Sequence, residues 1–271
     1  MIRHLAIALA VLLGFASTAR AQRAPDMATL DRGDGITKLG FDLGFSSLAD
    51  PPYDAALRFE LYGQYVTYSG LGFYGALPIS RSFGGEGTPQ PPELYNRTSL
   101  GNADVGLLYV IEGSELSWVM RGGVVLPTSS DGLDEAYTRY YATAPRLTDL
   151  AMASSDWHLR LSLSPLIHID KLFLRADIGF DLDIGDDDYH YLRLNVGGGI
   201  DLGTVALSLE LVNTATFGDF DRDEDFFHAL AVTVRFMGEQ LQPFISIGAP
   251  IDDYRRDRIQ FFLAGGIQVA F

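Results

Sequence analysis

The sequence predicts an all-β chain: a transmembrane, antiparallel, up-and-down β-barrel of about 12 strands, preceded by a cleaved signal peptide. Three observations predict it. Apolar and polar residues alternate in twelve separate runs, each long enough for a tilted strand of about 9–11 residues to cross a bilayer. The connections between the runs alternate between tight and long. The first 21 residues have the pattern of a secretory leader, and no later stretch approaches the 18 or more apolar residues of a membrane helix.

The leader, residues 1–21, sets Arg3 and His4 ahead of an apolar run from Leu5 to Ala16 and closes on Ala19-Arg20-Ala21, a small-residue cleavage site. Residues 22–35 are expected to form a short periplasmic segment, and residues 36–271 the barrel. Strand one, "TKLGFDLGFS", sets Leu39, Phe41, Leu43 and Phe45 against Lys38, Asp42 and Ser46. Strand two opposes Leu57, Phe59, Leu61 and Tyr65 to Arg58, Glu60 and Gln64, and strand three carries Leu71, Phe73, Leu77 and Ile79. Strands four and five present Val105, Leu107 and Tyr109, then Leu116, Trp118, Met120, Val124 and Leu126. "WHLRLSLS" and "LFLRADIGFDL" supply strands six and seven. Leu192 to Ile200, Val205 to Leu211, Leu230 to Phe236, the stretch around Ile245 and Ile247, and "IQFFLAGGIQVAF" complete the set. In the last of these, Ile259, Phe261, Leu263, Gly265, Ile267, Val269 and Phe271 share one face by parity.

Tight links fall near Tyr68–Gly70, Glu112–Glu115, His168–Lys171, Asp201–Thr204 and Met237–Gln240. Longer polar segments cover 47–54, 81–101, 128–155, 183–190, 213–227 and 249–257. A soluble sandwich has no reason to sort its loops by side, whereas a membrane barrel does. Turn centring predicts Asp177 opposite Ser162, Ile178 opposite Leu161, Glu210 opposite Asn195 and Leu209 opposite Val196, so that polar meets polar and apolar meets apolar. Closure follows from the solvent. An unpaired backbone group in hydrocarbon costs several kcal/mol, so the first and last strands must pair. Strand twelve is then the closing stave, and Phe271 resembles the terminal signature by which barrel-assembly machinery recognises outer-membrane proteins.

A second resemblance is carried by "GNADVGLLYVIEGSELSWVMRGGVVLPTSS". Over residues 101–129 a Gly-x-x-Asp strand, a short turn and a strand closing on Leu-Pro-Thr resemble the outer-membrane transporter family of the MetA pathway of phenol degradation, with an echo in "ALPIS" at 76–80. Family members often continue Leu-Pro-Thr-Gly; here Ser129 stands at the Gly. The resemblance implies an outer-membrane barrel passing small solutes, hydrophobic or aromatic compounds among them, and supplies no catalytic residues.

Removing the leader takes away Arg3 and Arg20 and no acid, leaving 18 basic and 35 acidic side chains, a net charge of −17. Nucleic acid is excluded as a partner by that charge. The chain has no cysteine, which excludes disulfides and thiolate metal sites. The expected lumen lining is Lys38, Asp42, Arg58, Glu60, Asp104, Arg121, Arg160, Arg175, Asp177, Asp181, Arg193, Glu210 and Arg235, 7 basic against 6 acidic. Such a two-signed interior suits a hydrated pore or a barrel filled by ion pairs. Twelve strands at ~4.8 Å spacing and ~40° tilt give a backbone radius of roughly 12 Å, so long side chains leave a narrow passage. The net negative charge therefore lies almost wholly in loops, turns and the N-terminal segment, and Asp186, Asp187, Asp188, Asp219, Asp221 and Asp223 form an expected acidic mouth that concentrates cations, weakly and less at high salt.

Other motifs reduce to simpler readings. "DFDRDED" has the alternating acids of a calcium loop, but Glu224 stands at its Gly position and Leu230 at its bidentate Glu. "GGGI" at 197–200 lies inside a strand, where glycines permit a bulge or leave lumen space. "RGD" at 32–34 and "NRT" at 96–98 are chance-length matches, and the histidines show no ligand spacing. Tyr137, Tyr140 and Tyr141 in the longest loop form either an inward constriction or an external aromatic cluster. Three function classes follow: a channel for small solutes, a structural or surface-interaction barrel with a plugged lumen, and an outer-leaflet lipid-modifying enzyme that would need a Ser and His brought together in space. The channel is expected, not the enzyme, with no cofactor and no metal. Its surroundings are the bacterial outer membrane's lipid and lipopolysaccharide.

Overall fold

The structure is a computed structural model that describes residues 25–49, 52–85, 95–130, 132–185, 189–218 and 226–271. The leader, residues 1–21, lies outside the described residues. Among the described residues there are thirteen strands: β1 Lys38–Leu48, β2 Tyr53–Val66, β3 Leu71–Gly84, β4 Thr98–Leu100, β5 Ala103–Ile111, β6 Leu116–Leu126, β7 His158–Ile169, β8 Leu172–Asp183, β9 Tyr189–Asp201, β10 Val205–Gly218, β11 Phe226–Phe236, β12 Leu241–Pro250 and β13 Ile259–Ala270. Every neighbouring pair is antiparallel. β4 and β5 both pair with β3, on Ile79–Arg81 and Leu71–Ala76, so they are two halves of one stave interrupted at Gly101-Asn102. The result is twelve staves. β1 pairs with β13 from Lys38↔Ala270 to Leu48↔Ile259, which closes the sheet and leaves no edge to be solvated by lipid.

The turns explain two register corrections. β7 and β8 meet as Ile169↔Leu172 and Leu163↔Ile178, and β9 and β10 as Leu211↔Val196 and Glu210↔Gly197. Each is two residues away from the register expected from turn centring. Asp170 takes φ 52° and places the first turn on Asp170-Lys171, while Gly203, at φ 88°, serves the second. Because the displacement is even, every side chain keeps its predicted face. A further correction concerns Ile259. An irregularity opposite Ser47/Leu48 moves Ile259 to the inner face, where it is fully buried beside Phe262.

Outward positions form a continuous apolar band that includes Leu39, Phe41, Leu61, Leu107, Leu209 and Ile245. Phe73, Tyr109, Trp118, Phe236 and Phe271 ring its tight-turn end, and Trp157, Phe217 and Phe226 its long-loop end, the aromatic girdles of a membrane barrel. No helix among the described residues is long and apolar enough to cross a membrane.

The hydrophobic core lies inside the barrel. Met27 and Leu30 from the N-terminal segment, with Ala144, Leu147, Leu150, Ala151 and Met152 from the β6–β7 connection, pack against Phe173, Tyr191, Val212, Phe227 and Phe262 of the wall. The β6–β7 connection forms α1, Leu133–Ala142, followed by a 3₁₀ turn, Ala144–Asp149, and a short helical turn, Leu150–Ala153. Residues 25–35 were expected in the periplasm; instead they thread the lumen. The cause is local chemistry: Met27 and Leu30 are apolar and seek the core, while Asp26, Asp31 and Asp34 find cationic partners on the inner wall.

Candidate functional site

All thirteen predicted lining residues point into the barrel; twelve are buried and Arg121 is half-buried. Strand alternation puts them there, and the two internal segments cover them. At the tight-turn end, Lys38 is bonded to Asp26 and to Asp34 (2.8 Å), Gln64 donates to Asp34 Oδ1 (2.6 Å), and Arg235 Nε donates to the Asp26 carbonyl (2.9 Å). At mid-depth, Arg121 is ion-paired with Asp31, whose other oxygen accepts from Ser162 Oγ at 3.0 Å. Arg175 pairs with Asp177 (2.7 Å) and donates to the Gly33 carbonyl (2.8 Å), while Asp177 accepts the Asp31 N–H (2.8 Å). Two staves further round, on β10, Glu210 accepts from the Ala28 N–H (3.2 Å), the Thr29 N–H (2.7 Å), the Thr29 hydroxyl (2.6 Å) and the Ser208 hydroxyl (2.8 Å).

Toward the long loops, Asp149 of the 3₁₀ turn lies between Arg58 (2.9 Å), Arg146 (2.8 Å) and Arg160 (3.5 Å). Burial alone would raise the Asp149 carboxyl, but the Arg146, Arg58 and Arg160 guanidinia outweigh it and hold it well below the usual range. Arg160 also pairs with Asp104 (2.8 Å) and Asp181 (3.0 Å), and Asp181 with Arg193 (2.9 Å). Arg146 joins the two internal segments by donating to the Ala28 and Leu30 carbonyls (2.6 and 3.2 Å). Arg32 of the "RGD" stretch bonds Asp42 and Glu60 and lies 3.9 Å over the Tyr62 ring.

The remaining space is small. A cavity bounded by Arg32, Tyr62, Tyr74, Arg121, Arg146 and Arg160 holds about 30 Å³, room for about two or three water molecules. Among the described residues, the two internal segments thus fill most of the lumen. Sequence reasoning missed the N-terminal segment and left the loop open between an inward constriction and an external cluster. Met27 and Leu30 were the legible signal for the first: two apolar residues isolated in a segment expected to lie in water. For the loop, the signal was the tyrosines. Tyr140 and Tyr141 turn inward onto the core and Tyr137 stays exposed on α1, while buried Arg139 fastens the loop to the Ala153 carbonyl (2.8 Å) and Ser99 (2.8 Å).

Of the glycines at 197–200, Gly197 faces the lumen where Met27 and Leu30 pack, so its missing side chain makes room for the N-terminal segment. Among the described residues, Ser154 and His158 form a Ser–His pair to weigh for acyl transfer, with Oγ 3.4 Å from Nδ1. The Ser154 hydroxyl points instead to the Ala151 carbonyl at 2.8 Å, and His158 is buried inside the barrel, not at the lipid face. No group of metal-ligating side chains gathers among the described residues. The six aspartates of the acidic mouth and the "DFDRDED" stretch from Asp219 to Asp225 lie outside the described residues. Phe271 is at the tight-turn end, its N–H bonded to the Thr37 carbonyl at 3.0 Å.

Comparison with solved structures places this geometry. The COG4313 outer membrane channel from Pseudomonas putida F1 is similar over 89% of this chain and 100% of its own, with a TM-score of 0.61 and 14% identity. The NanC porin (TM-score 0.53, 12% identity, 86% of this chain and 98% of its own) and the KdgM porin (0.51, 13%, 86% and 99%) are similar in the same way. The chain has the fold of outer-membrane porins and channels. These likenesses support an outer-membrane location. No protein-family model matches the sequence, and no curated protein does. The likeness of residues 101–129 to the MetA-pathway family thus stands on its motif alone.

Proposed function

We propose that this chain is an outer-membrane channel for small solutes, held closed by its own N-terminal segment and β6–β7 loop. The observation that carries the reading is the origin of the lumen's partners. Wall groups such as Arg121, Lys38 and Glu210 bond to Asp31, to Asp26 and Asp34, and to Ala28 and Thr29, all from a segment that is no part of the barrel sheet. Withdrawal of that segment and of the β6–β7 loop leaves a closed cylinder with a two-signed polar lining, which is what a water-filled passage requires. The solute class suggested by motif resemblance, hydrophobic or aromatic compounds, is narrowed by this lining to molecules carrying polar or charged groups, aromatic rings being accommodated by guanidinium and tyrosine faces such as Arg121 over Tyr74 at 3.6 Å. In this reading the partners are outer-membrane lipid and lipopolysaccharide, with Phe271 read by barrel-assembly machinery. The protein acts as a channel, not as an enzyme.

The test is single-channel conductance in planar bilayers for the full protein and for a variant lacking residues 25–35. The full protein is expected to conduct rarely, and the variant persistently. A second reading, a permanently plugged structural barrel, is favoured by the ~30 Å³ cavity, and absence of conductance from the folded variant would establish it instead.

A further inference from the structure

The inner wall is not evenly balanced. Of the thirteen lining residues, β6, β7, β8 and β9 carry Arg121, Arg160, Arg175 and Arg193, whereas β5 and β8 supply only Asp104, Asp177 and Asp181. The other staves match three basic residues with three acidic ones, Lys38, Arg58 and Arg235 with Asp42, Glu60 and Glu210. Asp183 at the rim is taken up by its own turn, accepting from the Gly185 and Tyr189 N–H groups. The surplus positive charge on β6–β9 is met by Asp31. That carboxylate receives the Arg121 guanidinium on one oxygen and the Ser162 hydroxyl on the other.

Donors still exceed acceptors around it. Arg121 Nε, Arg175 Nη2, Arg193 Nε and Asn195 Nδ2 are buried and have no acceptor among the described residues. Arg175, Arg193 and Asn195 are each 3% exposed or less. Buried donors of this kind are normally satisfied, because leaving them bare costs the full desolvation penalty. A wall with a fixed surplus of guanidinium donors, met at mid-depth by Asp31 of the N-terminal segment and toward the long loops by Asp149, has the chemistry of an anion site whose occupant at mid-depth is internal.

We infer that the lumen face formed by Arg121, Ser162, Arg175 and Arg193 is a binding site for a carboxylate-bearing small solute, and that Asp31 is its built-in surrogate. This rests on the channel reading, since it supplies the solute class for that passage. A free carboxylate arriving at the face competes with Asp31 for the same two-point contact with Arg121 and Ser162. Its binding and the release of the N-terminal segment are then one coupled equilibrium.

The test uses the full-length protein and two probes of similar size, gluconate and glucose, followed by calorimetry. Gluconate is expected to bind and glucose is not. Asp31→Asn keeps the side-chain shape and removes the competing charge, and should tighten gluconate binding by about tenfold, the change that one strong charge-assisted hydrogen bond makes. Adding Arg121→Gln to Asp31→Asn should abolish it. An unchanged gluconate affinity in Asp31→Asn, persistence of binding after Arg121→Gln, or equal binding of glucose would overturn the site. Heat-modifiable gel migration verifies that each variant is folded. If Asp31→Asn does not fold, the variant lacking residues 25–35 replaces it, and its gluconate-over-glucose uptake in liposomes must fall on Ser162→Ala. Conductance separates the two proposals. A deletion variant that conducts without preferring gluconate sinks the site and leaves the channel. One that binds gluconate without conducting sinks the channel and leaves the site.

Discussion

Glu210→Ala should loosen the N-terminal segment without opening the barrel sheet. The Glu210 carboxylate is fully buried and accepts four hydrogen bonds, three of them from Ala28 and Thr29. Hydrogen bonds to a charged group contribute about 1.5–3 kcal/mol each, and their losses are not additive. Truncation also strands two backbone N–H groups in the lumen, although water admitted by the smaller side chain offsets part of that. Together these terms make local release easier by about 3 kcal/mol, or roughly 150-fold. The β9–β10–β11 ladders run through Glu210's backbone and are untouched by the change.

The chain's lack of cysteine provides the assay. Ala28→Cys places a single thiol beside Phe244 and Ala264, inaccessible while the segment is docked. Its reaction with a membrane-impermeant maleimide should be about two orders of magnitude faster in the Glu210→Ala background, where labelling tracks the population of the open form. Heat-modifiable migration should be identical in both backgrounds. Equal labelling rates would show that Glu210 does not hold the segment, and loss of the folded band would show that segment and barrel are one cooperative unit.

Gly197→Val should also displace the segment, because its Cβ would meet Met27 Sδ and Leu30 Cδ2; overpacking of this kind costs about 1–3 kcal/mol, and it should speed labelling of Ala28→Cys. The pH response of docking should have two signs. Burial pushes the Asp34 carboxyl up to about 6, with Asp26 adding to the rise and Lys38 opposing it, so the docked state holds that proton more tightly and docking weakens as pH rises from 3.8 through 6. Asp31 is held well below 3.8 by Arg121, Arg175 and Arg193 against the effect of burial, so its contribution is present above 3.8 and lost as pH falls below it. Amide exchange across residues 26–34, corrected for intrinsic rates, should therefore be slower at pH 5 than at pH 7; equal or faster exchange at pH 5 would contradict the assignment. Deleting Phe271, or Phe271→Asp, should lower the yield of folded barrel far more than Asp223→Ala does, and equal yields would remove any assembly role for the terminal aromatic. Neutralising Asp186, Asp187, Asp188, Asp219, Asp221 and Asp223 should erase a weak, salt-sensitive cation preference in the open channel while leaving gluconate binding intact; reversal potentials unaffected by the change would place ion selectivity in the lumen instead.

The staves and their faces were legible in the sequence because a membrane barrel has one rule per residue, lipid outside and lumen inside, written with a period of two. Leu161 and Leu163 outside with Arg160 and Ser162 inside follow from that rule. So does closure of β1 on β13, since hydrocarbon forbids a bare edge. Parity also survives small errors. The β7–β8 and β9–β10 turns lie one residue later than expected, yet an even change in register left Asp177 and Glu210 facing inward. Ile259 was misplaced because a bulge breaks the period, and no single residue type announces one.

What fills the cylinder was decided only by tertiary structure. Thirteen inward residues could be named from alternation, but which carboxylate meets which guanidinium depends on groups more than a hundred positions apart, as with Arg146 at the Ala28 carbonyl or Asp31 N–H at Asp177. Residues 25–35 have no periodicity, because an irregular segment satisfies its backbone on surrounding side chains and not on a ladder. Its place in the lumen is set by the shape of the cavity, by the gap at Gly197 and by an uneven wall of arginines, and those exist only once all twelve staves have closed.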